Sequence, residues 1–367
     1  MDVRITKLPE AIAPETALAG VIRVMIVDDS LTVRTVLSRI ISGDPVMHIV
    51  ATAGSAESAL LQLTKNAVDV ILLDLEMPGM GGMEALPKIL ERARDAQVLV
   101  VSSLTRDGAE HTLNALSMGA ADTMLKPRPG GFDDAYRACL LGKIRALGGY
   151  DGTEGDLPQV KVAEPGLTYR ASAGKKQPQV LAFGASTGGI HAFNIILRGL
   201  PDSFRLPILV TQHLPQSFIP VFARQIEGIS GRPAQIACDG AEIRPGEIMV
   251  ASGMGHMTVK RQGDRAFTMI SNEPATSGCM PSVDPMLRSL ASAYDGHVLA
   301  VILSGMGRDG VLGAEDLAAA GGTIMAQDAA SSAVWGMPGA VAKAGIASTV
   351  LPPDELIGAI LRAVGTR

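Results

Sequence analysis

Apolar positions along this chain follow two rhythms that take turns. IRVMIV (22–27) is a short β-rich run, and SLTVRTVLSRII (30–41) then spaces its apolar residues three and four apart. The exchange repeats. HIVATA (48–53), VDVILLDL (68–75), QVLVVSS (97–103) and DTMLKP (122–127) read as strands. SAESALLQLTK, GMEALPKILERA, GAEHTLNALSMG and FDDAYRACLLGKIRAL read as the helices that follow them. Five alternations of this kind predict a parallel sheet with helices on both faces. Periodicity then collapses from Gly148, where Gly, Pro and charged residues dominate. It returns at Val180 with VLAFGAS, LPILVTQH, PAQIACD, EIMVAS, HVLAVILSG and GTIMAQD, separated by helical segments. The pattern predicts an α/β protein of two doubly wound parallel-sheet domains. Their bounds are a lead-in at 1–20, a first domain at 21–147, a linker at 148–178 and a second domain at 179–367.

The length of 367 residues fits two cores better than one. Apolar residues make up 47% and charged residues 19%, a balance that expects folded globular domains. The net charge of −5, without a Lys/Arg block, argues against nucleic acid as a partner. The longest apolar runs are too short to cross a bilayer and the first residues lack a secretory core, so a cytoplasmic protein without membrane insertion is expected. Three widely spaced cysteines, Cys139, Cys238 and Cys279, fit neither a zinc pattern nor a disulfide framework. They are expected to be reduced, buried thiols.

Ligands of open parallel sheets gather at the carboxyl ends of the strands. In the first half those ends carry Asp28 and Asp29, Asp74, Ser102 and Lys126. Three converging carboxylates repel one another unless a hard cation such as Mg²⁺ joins them. A lysine and a hydroxyl beside them suit a phosphoryl group carried on one of the acids. An isolated Asp at a strand end is most often a cap; the whole set on consecutive strand ends is not explained that way.

VDDS, LLDLEMPGMGG, VVSS and KP together resemble the receiver domain of two-component response regulators, a flavodoxin-like fold, over residues 22–147. The resemblance implies that Asp74 accepts the phosphoryl group. Mg²⁺ would rest on Asp29 and Asp74, with Asp28 in support and the main-chain oxygen of Glu76 as a further ligand. Ser102 and Lys126 would take the phosphoryl oxygens, and the peptide before Pro127 would be cis. One position departs: Thr123 stands where receivers often carry an aromatic residue.

In the second half, LAFGASTGGIHAF (181–193) poses a choice between a phosphate cradle and a nucleophile. A dinucleotide loop reads G-x-G-x-x-G, and its second glycine lets the backbone approach a pyrophosphate. Here that position is Ser186. The next strand ends in Gln212 and His213 rather than in the acid that grips a ribose. Gly184, Ser186 and Gly188 instead satisfy G-x-S-x-G, a turn that lifts a serine above the sheet. Of the six histidines, His213 lies at a strand carboxyl end and is the expected base. A Ser252–His256 pair is the competitor, without the elbow frame. Asp309, Asp328 and Asp284 are available to orient the base. Asp309 is preferred because Gly305, Gly307 and Gly310 around it let backbone N–H groups enter a site. Met306 N–H and Thr187 N–H are the candidate oxyanion donors.

FGASTGG, TQHLP, PSVDP and LSGMGRDG, behind a receiver and a linker, resemble the chemotaxis receptor methylesterase (CheB) family, whose catalytic domain is Rossmann-like. That family's triad falls on Ser186, His213 and Asp309. The resemblance implies a hydrolase of glutamate γ-methyl esters on chemoreceptors, also able to deamidate glutamine and needing no cofactor in its esterase domain. It implies activation by a chemotaxis histidine kinase through Asp74, the unphosphorylated receiver covering the active site. Two positions depart: Met280 stands where relatives often have Arg, and Ser252 and Met254 occupy a turn that often reads Pro-Gly-Asp. The alternative is a response regulator whose second half only binds a partner.

Overall fold

The computed structural model describes residues 20–102, 106–126, 132–150 and 176–365. The first unit runs β1 (Ile22–Val27), α1 (Leu31–Ser42), β2 (Met47–Ala53), α2 (Ala56–Gln62), β3 (Val70–Asp74) and α3 (Gly81–Arg92). It continues through β4 (Gln97–Ser102), α4 (Arg106–Met118), β5 (Asp122–Leu125) and α5 (Asp134–Leu147). All five strands are parallel in the order β2-β1-β3-β4-β5. Helix starts are set locally. Ser30, Ser55 and Asp133 stay extended, and each side chain accepts a hydrogen bond from an amide in the first turn of α1, α2 or α5.

The second unit begins with β6 (Val180–Ala185), α6 (Gly189–Gly199), β7 (Ile208–Gln212), α7 (Ile219–Ser230), β8 (Ala234–Ile236), β9 (Glu242–Ile243) and β10 (Ile248–Val250). It goes on with β11 (His256–Gln262), β12 (Arg265–Ser271), α8 (Val283–Ala293), β13 (Val298–Ile302), α9 (Val311–Ala319), β14 (Thr323–Gln327), α10 (Met337–Lys343), β15 (Thr349–Leu351) and α11 (Pro353–Val364). Seven of these strands form a parallel sheet in the order β15-β14-β13-β6-β7-β10-β8. β6, β7, β13 and β14 are buried along their whole length, as strands covered on both faces must be. From β6 the chain first builds towards β7 and later returns to β13 on the other side, so a topological switch point lies beside β6.

The second unit also carries a part that its strand-and-helix rhythm did not predict. β11 and β12 pair antiparallel, and β9 joins them in a separate three-stranded sheet. Gly263 and Asp264 make the two-residue turn between β11 and β12, with Gly263 at φ +61°.

The two units meet along α4, which packs on α6 and α7. Leu113 and Leu116 of α4 share one buried cluster with Ile190, Phe218 and Phe222 of the second unit. Polar contacts surround it. Ser117 Oγ accepts from Asn194 Nδ2 (2.6 Å) and Gln225 Nε2 (2.8 Å), and Arg224 pairs with Glu110 at 3.2 Å. The Lys126–Pro127 peptide, the lead-in up to residue 19 and most of the linker lie outside the described residues.

Candidate active site

Consecutive strand ends of the first sheet bring Asp28, Asp29 and Asp74 together, with one oxygen from each within 4.8 Å of the others. Asp28 and Asp74 are almost fully buried and Asp29 is exposed. Lys126 Nζ lies 2.5 Å from Asp74 and 3.1 Å from Asp28. Burial raises the Asp74 pKa, and the neighbouring Asp28 charge adds to this, while Lys126 pulls it down. Ser102 Oγ is buried without a hydrogen-bond partner among the described residues. Such a hydroxyl invites an oxygen ligand. Thr123 is buried on β5.

In the second sheet the residue after β6 is Ser186. Its amide donates to Ser304 O (3.0 Å), and Gln212 Nε2 donates to its carbonyl (2.9 Å). Gly188 turns the chain into α6 at φ +78°, and a Cβ there would sit 2.6 Å from both Ala333 Cβ and Ser304 Oγ. Gly305 is equally constrained, because a Cβ would lie 2.8 Å from Ser186 Cβ. Both glycines are dictated by the close approach of the β13 and β6 ends. Thr187 N and Met306 N donate no hydrogen bond within the protein among the described residues.

His213 follows β7, and Asp309 follows β13. The order β13-β6-β7 therefore sets the serine between them. His213 Nε2 bonds Asp309 Oδ2 at 2.8 Å, which leaves Nδ1 for proton transfer. Asp309 Oδ2 also accepts from Val283 N (2.8 Å), and Oδ1 accepts from Ser282 Oγ (2.6 Å) and Gly310 N (3.0 Å). The carboxylate thus sits on the N-terminus of α8, where amides without helical partners and the helix dipole favour negative charge. Burial alone would raise its pKa, but the hydrogen bonds from His213, Ser282 and Val283 prevail and hold it at about 2. For His213 burial works against the charged ring. Asp309 and then Cys279 outweigh it, and the pKa is pushed up to about 9. Among the described residues no hydrogen bond joins Ser186 Oγ to His213. Catalytic contacts of a resting site often close only around substrate.

The competing residues go elsewhere. Ser252 Oγ accepts from Met254 N, and His256 Nδ1 accepts from Ser282 N (3.0 Å), so His256 braces the loop that braces Asp309. Asp284 accepts from Gly313 N, and Asp328 from Ser331 N. The cysteines depart from expectation. Cys139 and Cys238 are exposed and Cys279 is partly exposed, because each sits on a turn or an outer helix face rather than a core position. Sequence reasoning also missed Ser282, Ser304 and Asp122. Of these, Ser282 and Ser304 carried a signal, standing inside the PSVDP motif beside the start of α8 and the LSGMGRDG motif after β13.

The receiver covers this site. Thr187 Oγ1 donates to Asp122 Oδ2 (2.5 Å), and Gly188 N donates to Ala121 O (2.5 Å). Leu116, Ala120 and Asp122 of the first unit wall a narrow cleft shared with Ser186, Gln212 and His213. A main-chain carbonyl of the receiver thus occupies an amide at the N-terminus of α6, beside the serine.

The profile of the CheB methylesterase family matches residues 181–360, and that of the response regulator receiver domain matches residues 24–131. The chain is 41% identical to "Protein-glutamate methylesterase/protein-glutamine glutaminase 1" of Paramagnetospirillum magneticum, over 94% of this chain and 97% of that one. It is also 41% identical to the protein-glutamate methylesterase/protein-glutamine glutaminase of Azospirillum brasilense, over 94% and 93%. The crystal structure of the Thermotoga maritima CheB methylesterase catalytic domain is 34% identical, with a TM-score of 0.49, covering 50% of this chain and 98% of that one. The chain belongs to the CheB methylesterase family, with a response regulator receiver domain ahead of its catalytic domain.

Proposed function

We propose that this protein hydrolyses glutamate γ-methyl esters on chemoreceptors, and deamidates receptor glutamines, under the control of receiver phosphorylation. The receiver unit is taken as residues 21–147, the esterase unit as 179–367 and the linker as 148–178. The reading rests on one observation above others: His213 and Asp309 pair at 2.8 Å on the two strands that flank the serine elbow.

Ser186 Oγ attacks the ester carbonyl while His213 Nδ1 takes its proton. The amides of Thr187 and Met306 receive the oxyanion. His213 returns the proton to methanol as it leaves. Water then attacks the acyl-serine, again deprotonated by His213, and free glutamate departs. Asp309 holds the ring and balances its charge throughout. A glutamine side chain offers the same acyl carbon, with ammonia as the leaving group.

Asp74 is the phosphoryl acceptor, and a chemotaxis histidine kinase is the donor. The converging, mutually repelling carboxylates fit a magnesium ion: Asp28, Asp29, Asp74 and the main-chain oxygen of Glu76 would hold it, and the chemistry it would supply is screening of the incoming phosphoryl charge. Ser102 and Lys126 take phosphoryl oxygens. These reactions belong on the cytoplasmic side of the membrane, where receptor helices and the kinase meet. Methanol release from a methylated receptor fragment, compared between wild type and Ser186→Ala, tests the proposal. Release by the wild type alone is expected; equal release by both would move the nucleophile elsewhere.

A further inference from the structure

Three chemically distinct donors meet at the mouth of the site. Cys279 Sγ, a ring nitrogen of His213 and a carboxylate oxygen of Asp309 all lie within 4.8 Å of one another. Thiolate, imidazole and carboxylate are the ligand types of zinc, and three protein ligands with an open fourth position make an accessible rather than a closed site. We propose that His213, Cys279 and Asp309 form an inhibitory binding site for a zinc ion. The proposal rests on the esterase reading only for its consequence, which is that the metal takes the base away from Ser186.

The local structure favours this set in three ways. Asp309 is already ionised and fixed by Ser282 Oγ, Val283 N and Gly310 N, the outer contacts that orient a metal-binding carboxylate. His213 and Asp309 already share one proton across 2.8 Å, and the ion would replace that proton. Ligands of a tetrahedral zinc ion stand about 3.5 Å apart, so the His213–Asp309 pair at 2.8 Å opens by about 0.7 Å and the thiol, within 4.8 Å of both, closes in. The thiol donates to Ser277 O over a long 3.8 Å, a weak contact that yields readily. Cys279 is partly exposed, and the preceding Gly278 has no neighbouring atom within 4 Å of where a Cβ would stand. Cys279 neither attacks the ester nor carries the transferred proton, and its one role in the metal-free site is to help raise the pKa of the neighbouring His213 ring.

The test uses the full-length protein, reduced, with Mg²⁺ in excess to occupy the receiver carboxylates. Cobalt(II) is titrated as a spectroscopic stand-in for zinc, and zinc is then added to displace it. One equivalent of cobalt with a thiolate-to-cobalt charge-transfer band is expected, and Cys279→Ser should abolish that band. In the esterase assay, with each protein read against its own metal-free rate, Cys279→Ser should raise the half-inhibiting zinc concentration by more than about tenfold. A cobalt complex lacking the thiolate band, or zinc inhibition unchanged in Cys279→Ser, would overturn the proposal. The cobalt spectrum reads metal binding whether or not the protein hydrolyses esters, so failure of the substrate assignment would be recognised separately.

Discussion

Asp309 concentrates the chemistry of single residues. Its carboxylate receives donors from two segments and passes their effect to His213. By analogy with triads in general, Asp309→Asn should lower kcat by ~10⁴. The ring accepts a proton only when neutral, and it is held protonated up to about 9. In the unphosphorylated enzyme kcat/KM should therefore rise with pH through about 9, and Asp309→Asn should move that midpoint downward. Stability follows the same linkage. The raised His213 contributes fully below its ordinary value of 6.5 and loses that contribution as pH rises through about 9. The lowered Asp309 contributes above 3.8 and loses it as pH falls through about 2. The pair should thus stabilise most between about pH 4 and 6.5, measurable as the difference in thermal midpoint between wild type and His213→Gln across pH. The placing of Ser186, His213 and Asp309 at neighbouring strand ends was legible because each directly follows a strongly apolar run or lies in the glycine-rich turn after one. Ser282, Ser304 and Asp122 were not, because their importance comes from partners more than twenty residues away in the chain.

Among the elements, β5 and α4 matter most for control. β5 carries Asp122 at its start and leads into Lys126, so one four-residue strand links the serine elbow to the carboxylate–lysine cluster around Asp74. Asp122 also pairs with Lys143 of α5, which fixes its carboxylate in place for Thr187. Asp122→Ala removes a charge-assisted hydrogen bond of about 1.5 kcal/mol, so basal hydrolysis should rise about tenfold. The measurement is initial rate without phosphodonor, and an unchanged rate would mean that this contact does not restrain the enzyme. The alternating strands and helices of both units were readable from periodicity, since buried parallel strands and amphipathic helices leave different signatures. The β11–β12 hairpin was hidden because its strands stand apart from the parallel sheet, although the Gly263-Asp264 turn between two alternating runs was the available signal.

At the scale of the whole molecule, two sheets of the same class are coupled through one shared apolar cluster and a ring of polar contacts. Interfaces of this kind between domains are marginal, and an added dianion at one end can shift them. Asp74→Ala should therefore keep basal hydrolysis and lose stimulation by a phosphodonor. Loss of basal activity in the folded variant would contradict that division of labour. The domain order was visible in the sequence from the collapse of periodicity after Gly148. The docking of α4 on α6 and α7 was not, because interfacial residues such as Leu113 and Leu116 look like ordinary core positions of an amphipathic helix.

The central claim is that Ser186 is a nucleophile held under the receiver and released by phosphorylation at Asp74. It is tested most directly by the rate at which a fluorophosphonate labels the protein, mapped by peptide mass, with and without acetyl phosphate and Mg²⁺. The account predicts label on Ser186 alone, slow in the resting protein and faster after phosphorylation, with no acceleration in Asp74→Ala. Label on another serine, or a rate on Ser186 indifferent to phosphorylation, would contradict it.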